Sequence, residues 1–150
     1  MNHTIEILRA TSAHIDALVP LFDAYRQFYG QSPDESGSRP FLAQRMQRHQ
    51  SAIFLALQDS RGCGFTQLYP AFSSVAMRPI WILNDLFVAE DARRQGVAKQ
   101  LMQTAVEFAR SNGAKRLVLA TGLSNHAAQA LYEAIGWTRD DAFVHYQLEM

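Results

Sequence analysis

From Trp81 to Ala98 the chain reads WILNDLFVAEDARRQGVA, an apolar strand-like run that leads through a short polar turn into a helix start bearing Arg93, Arg94 and Gly96. Such a junction is suited to holding a phosphate. Glycine lets the backbone approach an anion closely, the first N–H groups of a helix have no intrahelical acceptor, and the helix dipole adds partial positive charge there. The two adjacent arginines add full charges. A solvated turn with the glycine as a plain hinge is the alternative reading of the same residues.

The rest of the chain can be ordered around this junction. Ile5 to Arg9 alternates like a short strand, Thr11 or Ser12 is a suitable N-cap, and Ile15, Leu18, Val19, Phe22 and Tyr25 recur at helical spacing. The stretch GQSPDESGSRP is dense in turn formers and reads as a loop, with a second helix from Pro40 to about His49. Ala52 to Leu57 and Gly64 to Tyr69 read as an antiparallel hairpin, followed after a loop from Pro70 to Pro79 by a third strand, Ile80 to Val88. The helix after Gly96 puts Val97, Leu101, Ala105, Phe108 and Ala109 on one face and closes at Asn112-Gly113. Lys115 to Thr121 suits a strand buried on both faces, as in a parallel pairing across that helix. A last helix over about Asn125 to Ile135 and a closing strand from Ala142 to Glu149 complete the order.

Two segments, RRQGVA at Arg93 to Ala98 and SNHAAQALYEAIGW ending at Trp137, resemble the two motifs of the GNAT superfamily of N-acetyltransferases. The first resembles the acyl-CoA-binding signature, Gln or Arg, two residues, Gly, one residue, then Gly or Ala. The resemblance implies an α+β (α/β) fold, a single domain over residues 1–150 with a mixed central sheet and helices on both faces. It also implies acetyl-CoA as cosubstrate and direct attack of a primary amine on the thioester. By the same resemblance the pyrophosphate rests on Arg93, Arg94, Gln95, Gly96, Val97, Ala98 and Lys99. The pantetheine arm lies on the backbone of Leu86, Phe87 and Val88, beside a bulge in that strand.

Asn125 and Ala128 match family positions that touch the cofactor, although Asn before a helix can serve as an N-cap alone. Tyr132 matches the family tyrosine near the thioester sulfur. A phenol with a pKa of about 10 can protonate or hydrogen-bond a departing thiolate at neutral pH, and a core aromatic at helical spacing is the alternative. Some relatives carry Glu at the position of Asn84, and an amide cannot act as a base. The adjacent Asp85 points to the opposite face of an ideal strand unless the bulge turns it, which leaves Asp85 and ordered water both open as the base. Tyr29, Asn84 and Asp85 are the candidate acceptor-binding residues, with Tyr25, Phe28, Asp34 and Glu35 around them. The Asn-Asp-Leu-aromatic-Val run is most similar to the histone and polyamine acetyltransferase branch.

Composition bounds the alternatives. The 150 residues suit one domain, and 48% hydrophobic with 19% charged residues is an ordinary globular balance. Zero formal charge at pH 7 argues against a generic nucleic-acid binder. The single Cys63 fits a reducing cytoplasm, and no leader or membrane span is evident. His3, His14, His49, His126 and His145 show no metal-ligand spacing, so no metal is expected. Gly62-Cys63-Gly64 lacks the third glycine of a dinucleotide turn, and the Gly-Lys-Ser/Thr of a P-loop is absent. A noncatalytic acyl-CoA-binding sensor or interaction module remains the rival function. The apolar residues Phe143, Tyr146 and Leu148 of the closing strand lead us to expect a homodimer.

Overall fold

The computed structural model describes residues 4–150, so His3 lies outside the described residues. Two compact units are distinguished, one ending at Leu119 and one running from Ala120 to Met150. In the first, a five-stranded sheet has the order β1 (Ile5–Arg9), β2 (Ala52–Gln58), β3 (Arg61–Ser73), β4 (Arg78–Val88) and β5 (Leu117–Val118). Neighbours are antiparallel except β4 and β5, which pair in parallel through Trp81 with Leu117 and Ile82 with Val118. The sheet is therefore mixed, as expected.

Helices α1 (Ile15–Phe28) and α2 (Glu35–Gln47) cover one face, where Leu18, Val19, Phe22 and Leu42 pack with Leu55 and Phe65. Helix α3 (Val97–Ser111) covers the other, with Phe108 edge-on to Phe54 and Trp81. Two glycines of β3 show how closely these layers approach. A Cβ on Gly62 would meet α1 at Ala17 and Leu21, and one on Gly64 would meet the Phe87 carbonyl at 2.9 Å and Val97 of α3 at 3.3 Å. The glycines face opposite layers because β3 carries an extra residue between them: Leu57 pairs with Gly62 but Ala56 with Gly64.

Helix α2 begins earlier than Pro40, inside the segment expected to be a loop. The Asp34 side chain accepts the Gly37 N–H at 2.9 Å and its carbonyl accepts the Ser38 N–H at 3.0 Å, so the first turn is set by capping. That cap outweighs the weak helix propensity of Ser and Gly. The expected loop from Pro70 to Pro79 is likewise mostly strand, since β3 and β4 pair as far as Ser73 with Arg78.

The second unit holds α4 (His126–Ala134), capped by Asn125. The expected closing strand from Ala142 to Glu149 is not formed: among the described residues it has no ladder partner, and Phe143, Tyr146 and Leu148 are exposed. Apolar alternation marks a segment that can pair, but a strand exists only through hydrogen bonds to a neighbour.

Candidate active site

The end of the sheet beside α1 is shaped by one residue. In the ladder between β3 and β4, Gln67 pairs with Asp85 and Leu68 with Leu83, which leaves Asn84 as an extra residue, a β-bulge. Alternation fails at this point, and consecutive residues Asn84 and Asp85 line the same cavity. It measures about 370 Å³ and is also lined by Phe22, Tyr25, Tyr69, Phe41 and Asp34. The sequence left open whether the bulge turns Asp85, and in the structure it faces the α1–α2 side.

Asp85 is buried, at 4% exposure, and held from two sides. Gln67 Nε2 donates to its Oδ2 at 2.6 Å and Asn84 Nδ2 to its Oδ1 at 2.9 Å. Burial raises the carboxyl above its ordinary pKa, and bonds from Gln67, Asn84 and Tyr25 offset part of the shift. The Tyr25 hydroxyl donates to the Asn84 carbonyl at 3.3 Å, and burial followed by the Asp85 charge raises it far above its ordinary value. Burial first, then Asp85, push Tyr69 up to about 12. Both phenols therefore stay protonated at neutral pH and remain donors.

A second buried carboxylate, Asp23 of α1, holds the start of α2, where Asp34, Gly37 and Ser38 line the cavity. It accepts from Arg26 Nη1 at 3.2 Å, Gln27 Nε2 at 3.1 Å and the Asp34 N–H at 2.9 Å, which ties the start of α2 to α1. Sequence reasoning missed Asp23, Tyr69 and Gln67. Helical spacing puts Asp23 next to the apolar position Phe22, a weak signal at best. The expected acceptor residue Tyr29 is not among the cavity-lining residues; it is 56% exposed and stacks edge-on against Tyr25, with ring centroids 5.1 Å apart.

Past the bulge, β4 continues to Val88 whereas β5 stops at Val118, so Leu86, Phe87 and Val88 have no β5 partner. Arg93 bends back over this strand end, donating from Nε to the Val88 carbonyl at 3.0 Å with its guanidinium 5.7 Å from the Phe87 ring centre. Gln95 is tied to Gln58, whose Nε2 donates to its Oε1 at 2.7 Å. Arg94 and Gly96 then adopt left-handed conformations, with φ of 63° and 78°. Gly96 is the N-cap of α3 and supplies no side chain. The first intrahelical bond at this end runs from the Gln100 N–H to the Gly96 carbonyl at 3.1 Å, which leaves the Val97, Ala98 and Lys99 N–H groups without an intrahelical acceptor. No acidic residue stands in that first turn, and apart from Gly96 and its two chain neighbours nothing lies within 4 Å of where a Gly96 Cβ would be. Left-handed backbone, uncapped N–H groups and open space together fit a phosphate.

In the second unit Asn125 Oδ1 accepts the Ala128 N–H at 3.3 Å, so the residue does act as a cap. Tyr132 lies on α4 with its ring 6.3 Å from that of Trp137. Among the described residues no group of three or more His, Cys, Asp or Glu is placed to hold a metal ion, and no helix is long and apolar enough to cross a membrane.

The sequence matches the acetyltransferase (GNAT) family over residues 18–137. It is 44% identical over 146 residues to the "Uncharacterized N-acetyltransferase YhfO" of Bacillus subtilis, covering 97% of this chain and 98% of that protein. A crystal structure of a probable acetyltransferase, 47% identical, superposes with a TM-score of 0.92 over 97% of each chain. The aminoglycoside N-acetyltransferase AAC(6')-Iy in complex with CoA shares the fold, with a TM-score of 0.83 at 19% identity over 100% of this chain and 98% of that one.

Proposed function

The chain belongs to the acetyltransferase (GNAT) family and is an acyl-CoA-dependent N-acetyltransferase, and on that premise we propose that it acetylates a small primary amine bound in the cavity over Asp85. The observation that carries this reading is the bulge at Asn84, which turns a buried carboxylate into a chamber walled by aromatic rings. An ammonium group entering there meets a negative charge and π faces.

Acetyl-CoA supplies the activated acyl carbon and a thiolate leaving group. In our reading the Val97, Ala98 and Lys99 N–H groups hold the pyrophosphate with Arg94 beside them, and Leu86, Phe87 and Val88 offer backbone groups to the pantetheine. Asp85 takes a proton from the bound ammonium, directly or through one water. Its proton affinity, raised by burial, suits that task at neutral pH. The neutral amine attacks the thioester carbon and the C–N bond forms; as the C–S bond breaks, Tyr132 gives its phenolic proton to the thiolate, the proton left on the new amide nitrogen passes through solvent to restore the Tyr132 phenol, and Asp85 returns its proton to solvent. Asn125 and Ala128 flank the same acyl donor in this proposal. Homodimerisation through Phe143, Tyr146 and Leu148 is part of it too, and a monomer at micromolar concentration by light scattering would refute that part.

Thiol release from acetyl-CoA, measured against polyamines, amino acids, aminoglycosides and basic peptides with the product mass checked, tests the function. At least one amine should accelerate release well above the rate in buffer. Tight acetyl-CoA binding with no acceleration by any amine would replace this reading with the noncatalytic one.

A further inference from the structure

Gln67 stands opposite Asp85 at the last ladder pair before the bulge. It is completely buried, with 0% exposure, in a strand where Phe65 and Leu68 are equally buried. One end of its amide is used: Nε2 donates to Asp85 Oδ2 at 2.6 Å. Among the described residues its Oε1 is buried with no hydrogen-bond partner. An unsatisfied buried carbonyl costs about 1–3 kcal/mol, which a methionine filling similar space would avoid. Packing alone therefore gives no reason for an amide at this position.

We propose that Gln67 is the positioning residue for Asp85, fixing the rotation of the carboxylate so that its Oδ1 edge, the one bonded to Asn84, meets the acceptor amine. An amide suits a group that gains and loses a proton. It donates through Nε2 to the carboxylate and, after a half-turn of its terminal group, accepts through Oε1 from the carboxylic acid. A carboxylate in place of Gln67 would repel Asp85, and an apolar residue would leave Oδ2 without this donor. The inference rests on Asp85 being the proton acceptor, so its test includes Asp85 itself.

The groups that bear on Asp85 are Tyr25 of α1, Tyr69 and Gln67 of β3 and Asn84 of β4. Arg26 and Asp34 also line the cavity, and the Arg45 charge on α2 reaches Tyr69. Of these, Tyr69 also bonds to Gln67 and so feels a change there, whereas Tyr25, Asn84, Arg26, Asp34 and Arg45 keep their own identities in every Gln67 variant. The amine titrates identically with every variant, so a difference between pH profiles belongs to the protein.

The experiment compares wild type, Gln67→Met, Gln67→Glu and Asp85→Asn, using the best amine of the panel. Melting temperature, acetyl-CoA affinity and the pH profile of kcat/KM are measured for each. Gln67→Met should melt no lower than wild type and bind acetyl-CoA within about twofold. Its kcat/KM should fall by about 10- to 100-fold, and the acidic limb of its profile should move up by about one pH unit, because the ionised carboxylate has lost a donor. Gln67→Glu keeps the shape and should move the limb in the same direction, since two adjacent carboxyls cannot both ionise easily. A Gln67→Met or Gln67→Glu protein with a wild-type limb would overturn the proposal, as would a loss of stability with an unmoved profile. Should Gln67→Met fail to fold, the Gln67→Glu limb alone decides. If Asp85→Asn stays fully active, the Asp85 reading itself fails, a result separable from failure at Gln67 alone.

Discussion

Gly96→Ala separates the conformational work of a glycine from its work toward a ligand. Residue 96 has a φ of 78°, and an L-residue in the left-handed region costs about 1–2 kcal/mol. Beyond its two chain neighbours nothing lies within 4 Å of the new Cβ, so no packing penalty is added. For a chain of 150 residues each kcal/mol is worth about 2–4 °C, which predicts a drop of about 2–8 °C in melting temperature. The conformational cost is present with and without ligand and cancels in the binding constant. What remains is the methyl group itself, standing where phosphate oxygens would approach the Gly96 backbone. It should weaken acetyl-CoA binding about tenfold, or about 1.4 kcal/mol. The control sits at the other end of the same helix. Gly113 has a φ of 69° and equally open space, so Gly113→Ala should lower the melting temperature comparably and leave acetyl-CoA affinity unchanged. Scanning and titration calorimetry on both variants give all four numbers. Equal acetyl-CoA affinities for the two variants would refute the assignment of the turn.

Tyr132→Phe keeps the ring and removes one oxygen; turnover should fall by about 10- to 1,000-fold with melting temperature nearly constant, and steady-state kinetics within twofold of wild type would assign the ring to packing. Asp23→Ala strands the donors of Arg26, Gln27 and Asp34. It should cost about 3 kcal/mol, seen as a fall of about 6–12 °C, and raise KM for the amine because the start of α2 lines the cavity. Asp85 has a folded pKa above its unfolded one. Its effect on folding is least unfavourable below the unfolded value near 4, worsens as pH rises toward the folded value, and is constant above it. Asp85→Asn should therefore melt higher than wild type at pH 7, with the gap closing toward pH 4; a gap that widens on acidification would contradict the burial argument.

What the sequence revealed follows the range of the interactions involved. The strand, the phosphate turn and α3 are written in adjacent residues: an apolar run, a glycine in left-handed conformation and a helical stripe through Val97, Leu101 and Ala105. Those signals are local and were legible. The bulge at Asn84 is a property of two strands, since only the pairing of Gln67 with Asp85 and Leu68 with Leu83 defines it. Hence the direction of Asp85 could be posed from the sequence but not answered. The start of α2 was hidden because Ser36, Gly37 and Ser38 have loop-like propensities, and the Asp34 that caps them is itself anchored by Asp23 on another helix. Tyr29 and Tyr25 lie one helical turn apart and look equivalent in sequence, yet only Tyr25 lines the cavity. The closing strand failed for the same reason in reverse, because alternation at Phe143, Tyr146 and Leu148 cannot supply the neighbour a ladder needs.

In the proposed reaction Asp85, a buried carboxylate that the bulge delivers to the acceptor cavity, accepts the proton of the attacking amine. The decisive measurement is single-turnover acetyl transfer by Asp85→Asn, from saturating acetyl-CoA to the best amine of the panel at pH 7. Loss of the carboxylate base should leave a rate at least about 100-fold below wild type with acetyl-CoA affinity within about twofold. A variant that transfers acetyl at close to the wild-type rate would contradict it and assign the proton to water.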